Sequence, residues 1–112
     1  VKPARARNDI ESSAPIFDAL GDPTRLRLVA RLSQGGPQSI AGLTRGTTLT
    51  RQGITKHLRV LAGAGVVRGT RHGRESRWKL ESKQLDVAAR YLESISKRWD
   101  SALERLKTFV EE

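Results

Sequence analysis

Between Thr50 and Arg77 the chain concentrates side chains that hydrogen-bond and carry positive charge. Thr50, Arg51, Gln52, Thr55, Lys56 and Arg59 form one run, and Arg71, Arg74 and Arg77 follow. The first run has helical periodicity. On a wheel at about 100° per residue, Ile54, Leu58 and Leu61 share one side while Gln52, Thr55, Lys56 and Arg59 gather opposite. A glutamine amide can bond an adenine edge through both its donor and its acceptor, whereas Lys and Arg suit guanine edges or phosphate oxygens. Gln52 is therefore the best single candidate for base readout, beside Thr55 and Lys56. Arg59 is placed for phosphate, and Thr50 and Arg51 for anchoring the first turn. His57 falls on the flank next to the apolar side, a position that favours local packing or bonding.

Charge is distributed to match. The net charge is +9, and from Arg45 to Arg77 eight bases stand against the single acid Glu75, whereas from Trp78 to Glu112 seven bases balance seven acids. The excess is a patch, and a patch attracts a polyanion. Uniform charge would favour a protein-interaction module instead, which is the competing reading. A sequence-tolerant DNA binder is a third, separable by the affinity ratio between specific and random duplex. Catalysis is not indicated: neither histidine stands by a plausible nucleophile, and the glycines follow no phosphate-loop pattern.

These groups need rigid supports, and the sequence punctuates them clearly. Ser13 to Leu20 fits a short first helix with Ile16, Phe17 and Leu20 on one side, ended by Gly21. Asp22 before Pro23 is a strong start for a second helix, because the carboxylate accepts from free N–H groups and proline at the first position has no donor to leave unsatisfied. Leu26, Val29 and Ala30 then make its expected apolar face, flanked by Leu28 and Leu32, until Gly35-Gly36-Pro37. Ser39 caps a short third helix with Ile40, Ala41 and Leu43, Gly46 to Thr48 turn the chain, and Thr50 caps the fourth. Gly65 stops that helix, and Val66-Val67 opens a hairpin whose tip is His72-Gly73-Arg74. On the return strand Ser76, Trp78 and Leu80 alternate with Arg77 and Lys79, which gives the ribbon one covered face and makes Trp78 core. A helix with a charged outer face followed by an Arg-lined ribbon is the layout of a winged helix-turn-helix, mainly α with a small β-hairpin (α+β), and such a pair reads double-stranded DNA.

From Ser82 a last helix places Leu85, Ala88, Leu92, Ile95, Trp99, Ala102, Leu106 and Phe109 at alternating spacings of three and four, the seam of a helix lying along another helix. So long a seam outruns the body of a small domain. It favours a partner subunit, with Tyr91, Leu103 and Val110 widening the contact. Residues 1–11 read as a flexible basic tail, and 12–112 as one domain whose dimerisation helix covers 82–110. Cysteine is absent, which excludes disulfides and thiolate metal sites. No apolar run approaches the roughly 20 residues that span a bilayer, and Val-Lys-Pro-Ala-Arg-Ala-Arg lacks the apolar stretch of a signal peptide, so no membrane association and a cytoplasmic location are expected.

The motifs resemble those of the ArsR-type winged-helix repressors of bacteria. Their Asp-Pro-Thr-Arg helix opening is matched at Asp22 to Arg25. Their Ser/Thr-Arg, small residue, Ser/Thr-x-His-Leu-x-x-Leu pattern is matched at Thr50 to Leu61, their Ala-Gly-Leu-Val at Ala64 to Val67, and their Arg-rich wing at Arg71 to Arg77. The resemblance covers about residues 14 to 108. It implies a homodimer, with the first and last helices at the interface, that represses transcription from a two-fold symmetric operator. Ile16, Phe17, Leu92, Ile95, Trp99, Leu103 and Leu106 are the interface residues so implied. Two departures stand out. Metal-sensing relatives carry Cys, His and carboxylate ligands on the recognition-side or C-terminal helices, while this chain has only His57 and His72, so it is closer to the metal-independent members and no cofactor is expected. Thr47 stands where relatives often carry a larger apolar residue. Regulation by an unidentified small molecule in the dimer interface and regulation by protein concentration alone both stay open.

Overall fold

The computed structural model describes the backbone of residues 2–111 and the side chains of residues 9–111. Helix α1 (Lys2–Leu20) leads into α2 (Pro23–Gly35), a short strand β1 (Gln38–Ser39), α3 (Ile40–Thr44) and α4 (Arg51–Gly63). The hairpin β2 (Val67–His72) and β3 (Glu75–Leu80) follows, and α5 (Ser82–Glu111) closes the chain. The strands form an antiparallel sheet in the order β1-β3-β2. This is the winged helix-turn-helix architecture, mostly helical with a small sheet and a long C-terminal helix.

Local chemistry sets the element boundaries as expected. Asp22 accepts from the Arg25 N–H at 3.1 Å, Ser39 from Gly42 at 3.1 Å and Thr50 from Gly53 at 3.0 Å, so each of the three helices in the middle of the chain starts on a side-chain cap. The Arg25 N–H holds the Asp22 carboxyl below the usual carboxylate range against the opposing effect of desolvation, with the charges of Arg25 and His57 pulling the same way as the N–H. At the other end of α4, Gly65 N–H reaches Ala62 O at 3.0 Å and Val66 N–H reaches Leu61 O at 2.9 Å, the two bonds of a Schellman motif with Gly65 at φ +77°. Its hydrophobic contact is present as well, since Leu61 and Val66 are both fully buried.

The hairpin turns through Gly73-Arg74, with Gly73 at φ +63° in the position where a two-residue II′ turn places glycine. Before α4, the Thr47 hydroxyl donates to Thr44 O at 3.0 Å and accepts from Leu49 N–H at 3.3 Å. A short polar side chain thus holds this turn by hydrogen bonds.

The core gathers Ile16 and Ala19 of α1, Leu28 and Leu32 of α2, Leu43, then Ile54, Leu58 and Leu61 of α4, with Val66, Val67 and Ala88. Three expectations need correction here. The buried stripe of α2 is Leu28 and Leu32, whereas Leu26 is 51% exposed and Ala30 lies at the surface. The helix is clamped in that rotation by its own arginines: Arg25 bonds Ala19 O at 2.5 Å, and Arg31 bonds Leu43 O at 2.5 Å and Gly42 O at 2.8 Å. Ile16, expected at a subunit interface, is 1% exposed within the single chain and is core. Helix α1 begins at Lys2 rather than Ser13. The residues before Ser13 are rich in good helix formers, although Pro15, inside the helix, offers no N–H to the carbonyl four residues back.

Trp78 packs against the core as expected, and its six-membered ring lies 3.6 Å from where a Cβ on Gly69 would stand. An alanine there would meet the indole at ordinary van der Waals distance. Strand β1 carries no signal in the sequence, because two residues are too few to show a period.

Helix α5 departs from the body. Leu85 and Ala88 join the core, and Tyr91 stacks at a tilt on Phe17 with ring centroids 6.4 Å apart. Beyond that point Leu92, Ile95, Trp99, Leu103 and Leu106 are exposed, Trp99 by 64%. The radius of gyration is 18.5 Å, against about 13 Å for a compact chain of this length. Among the described residues no helix is long and apolar enough to cross a membrane.

Gly65→Ala should destabilise the protein by at least about 1 to 2 kcal/mol, because alanine resists positive φ and the added Cβ would stand 2.7 Å from Gln84 Cγ. Gly63→Ala, with open space around it, should be neutral or stabilising by up to about 1 kcal/mol. Urea unfolding of the two variants checks the assignment, and equal effects would refute it.

Candidate nucleic-acid interface

With Ile54, Leu58 and Leu61 fully buried, the rotation of α4 leaves Arg51, Gln52, Lys56 and Arg59 exposed on one side. Thr50 at the cap is also exposed. Thr55 is half-buried, and its hydroxyl donates back to Arg51 O at 2.8 Å. It can still accept from a ligand, but its donor is engaged. A concavity lined by these residues and Ile40 runs along the helix. A second groove, lined by Ser39, Ile40, Ala41, Arg51, Arg74, Glu75 and Ser76, continues to the wing turn. Arg51 lines both. Helix and wing therefore present one continuous surface, to which α3 contributes Ile40, a residue that sequence reasoning did not assign there.

The hairpin register separates the wing arginines. Thr70 stands opposite Arg77 and Arg71 opposite Ser76, and directly opposed residues share a face. Arg71 thus lies on the face of Trp78 and Leu80, and Arg77 on the other. Their expected common role is further divided by pairing. Arg77 is bound to Glu75 at 2.7 Å, and Glu81 holds Arg68 at 3.4 Å and Lys79 at 3.7 Å. Among the described residues Arg51, Lys56, Arg59, Arg71 and Arg74 have no acidic partner within ion-pair distance. These five are free to meet an anion without first giving up a carboxylate.

His57 is not part of that surface. Its Nδ1 lies 3.4 Å from an Arg25 guanidinium nitrogen and 3.9 Å from Asp22, so the ring ties α4 to the start of α2, the local role its flank position suggested. Arg25 and Arg31 were missed as organisers of the site. Each donates to the carbonyls that end another helix, α1 and α3 respectively, and nothing in the local sequence marks a cap supplied from a distant segment. Among the described residues no group of three or more His, Asp or Glu could hold a metal ion.

Comparison with known proteins places this geometry. The helix-turn-helix domain family matches residues 20–70. An uncharacterized HTH-type transcriptional regulator of Methanocaldococcus jannaschii is 33% identical over 63 residues, which cover 56% of this chain and 71% of that protein. An ArsR-like transcriptional regulator from Rhodococcus sp. RHA1 superimposes with a TM-score of 0.76 at 34% identity, covering 88% of this chain and 92% of the other. The homodimeric winged helix-turn-helix domain Mb0332 of Mycobacterium bovis shares the fold, with a TM-score of 0.62 at 20% identity over 79% and 81% of the two chains.

The pairing pattern predicts how the wing meets a duplex. Arg74→Gln should weaken binding to any sequence and make the dependence of log affinity on log salt shallower by about 0.9 for each phosphate no longer neutralised. Removing the neutral pair together, Glu75→Gln with Arg77→Gln, should leave the slope nearly unchanged. Titrations across a salt series decide it, and an equal loss of slope in both variants would make Arg77 a phosphate contact after all.

Proposed function

The chain belongs to the ArsR-type winged helix-turn-helix transcriptional regulators, and we propose that it acts as a dimeric repressor that binds double-stranded DNA at an inverted-repeat operator. The observation that carries this reading is the set of unpaired cations on α4 and the wing tip beside the exposed Gln52. In this reading Thr50 and Arg51 anchor the recognition helix, Gln52 and Lys56 read base edges, Thr55 accepts a hydrogen bond, and Arg59, Arg71 and Arg74 hold phosphates. Arg77, already neutralised by Glu75, contributes least.

The dimer in this proposal closes through α5. Leu92, Ile95, Trp99, Leu103 and Leu106 supply an apolar face left exposed among the described residues, Phe17 and Tyr91 stand at its inner end, and the Mycobacterium bovis neighbour is described as homodimeric. The proposed domain is 12–112, with 1–11 as a basic extension outside it. Repression needs no metal in this reading, so chelation or added zinc should leave operator affinity unchanged.

Selecting bound sequences from a random duplex pool tests the proposal directly. The expected product is an inverted repeat with half-site centres about 10 base pairs apart or a multiple of that. Gln52→Ala should cost on the order of 1 to 3 kcal/mol at that site and flatten preference at one base pair of each half-site. A pool that yields no symmetry, or a variant that weakens all sequences equally, would count against sequence-specific readout.

Trp99→Ala should dissociate or unfold the protein in sedimentation at micromolar concentration, since truncating a buried tryptophan costs roughly 3 to 5 kcal/mol. An unchanged dimer of unchanged stability would exclude this face as the interface.

A further inference from the structure

A pocket of roughly 460 Å³, within the usual range for small-molecule sites, lies between α2 and the turn that leads into α4. Its floor is apolar, made by Leu28, Leu49 and Ile54. Its rim carries Arg27, Arg31, Thr47 and Thr48, and no acid is among the lining residues. Arg27 is exposed and has no acidic partner among the described residues. Arg31 is half-buried and satisfied only by the carbonyls of Gly42, Leu43 and Arg45, at 2.8, 2.5 and 3.2 Å. Those partners engage three of its five N–H donors and leave its charge uncompensated. An apolar floor under two uncompensated guanidiniums is complementary to a ligand with an apolar body and one negative charge.

The site touches both fastenings of the helix-turn-helix. Arg31 holds the C-terminal carbonyls of α3, and the Thr47 hydroxyl bridges Thr44 O and Leu49 N–H in the turn before α4. An anion seated on Arg31 competes with those carbonyls, and one that also bonds Thr47 loosens the turn. Either change alters how α4 sits against α3.

We propose that this pocket binds a small organic carboxylate with an apolar body, and that occupancy lowers DNA affinity by drawing Arg31 away from the end of α3. The binding step stands by itself. The coupling step rests on the reading of α4 as the DNA-contacting helix.

Benzoate and its neutral analogue benzamide test both steps on the full chain. Titrating benzoate into the DNA-free protein should give saturable amide shifts confined to residues 24–31 and 42–54, with benzamide binding about tenfold weaker, the loss expected of one charge-assisted hydrogen bond. Arg27→Gln should reduce benzoate affinity to the benzamide level, while Lys107→Gln, the same charge change far along α5, should leave it intact. Saturating benzoate should then weaken binding to the selected operator.

No saturable shift, equal binding of the two probes, or shifts centred on Gln52 and Lys56 would overturn the site. Should Arg27→Gln weaken every duplex while benzoate fails to bind, Arg27 is a DNA-phosphate contact and the pocket is refuted. Binding in the pocket without loss of operator affinity would overturn the coupling. A protein that binds benzoate as described but selects no operator would instead refute the proposed function and leave the pocket standing.

Discussion

The burial of one side of α4 is the constraint on which the rest depends. Ile54, Leu58 and Leu61 have no exposed surface, and full burial of such a side chain is worth about 1.5 to 3 kcal/mol. Three of them together rival the whole net stability of a small domain, typically about 5 to 15 kcal/mol. Rotating the helix by one residue would expose this stripe and, in one sense, push Thr55 and Arg59 toward the core, where an unpaired charge costs far more than any new surface interaction could return. The rotational phase of the exposed polar and cationic side chains of α4 is therefore set by the hydrophobic core. The Schellman end at Gly65 extends that control to the wing, because Val66, buried directly against the helix end, opens the hairpin through its bond from Glu81 N–H at 2.8 Å.

The basic residues of the helix-turn-helix and wing fall into three groups by the company they keep. Arg25 and Arg31 spend their donors on the carbonyls that end α1 and α3, so the helix-turn-helix is pinned from α2 by two guanidiniums as well as by apolar contact. Arg68 and Arg77, with Lys79, are paired with acids on the wing. On α4 and the wing, Arg51, Lys56, Arg59, Arg71 and Arg74 have no acidic partner among the described residues and form the uncompensated field. A net charge of +9 thus overstates the number of groups ready for phosphate and says nothing of where they stand. Exposed pairs such as Arg77 with Glu75 contribute little to stability. Their consequence is electrostatic, since they remove a cation from the set a polyanion meets first.

Helix α5 poses a different problem. Thirty residues at about 1.5 Å each extend some 45 Å, and the molecule measures 67 Å along its longest axis. The body covers Leu85 and Ala88 and supplies Phe17 as far as Tyr91. Leu92, Ile95, Trp99, Leu103, Leu106, Phe109 and Val110 stay exposed among the described residues. Large exposed apolar surface is uncommon in isolated domains and marks places where something docks. In the proposed dimer a second copy of the same helix would supply a matching face without any new sequence.

What could be read from the sequence is what arises within a few residues along the chain. The caps at Asp22, Ser39 and Thr50, the stops at Gly65 and Gly73, the two-sidedness of α4 and the apolar stripe of α5 all depend on residues three or four positions apart, and all are present as expected. Tertiary structure decided what depends on segments distant in sequence. It buried Leu28 and Leu32 of α2 rather than Leu26 and Ala30, drew Ile16 into the core, and added β1 beside β3. It placed Arg71 and Arg77 on opposite faces of the ribbon and neutralised Arg77 with Glu75. In α2 several apolar positions are compatible with an inward face, and only the packing of α1, α3 and α4 around that helix, with Arg25 and Arg31 reaching their carbonyls, selects among them. Local periodicity shows that a face exists. Which face the fold buries, and which charges it leaves free, is settled only when distant segments compete for the same surface.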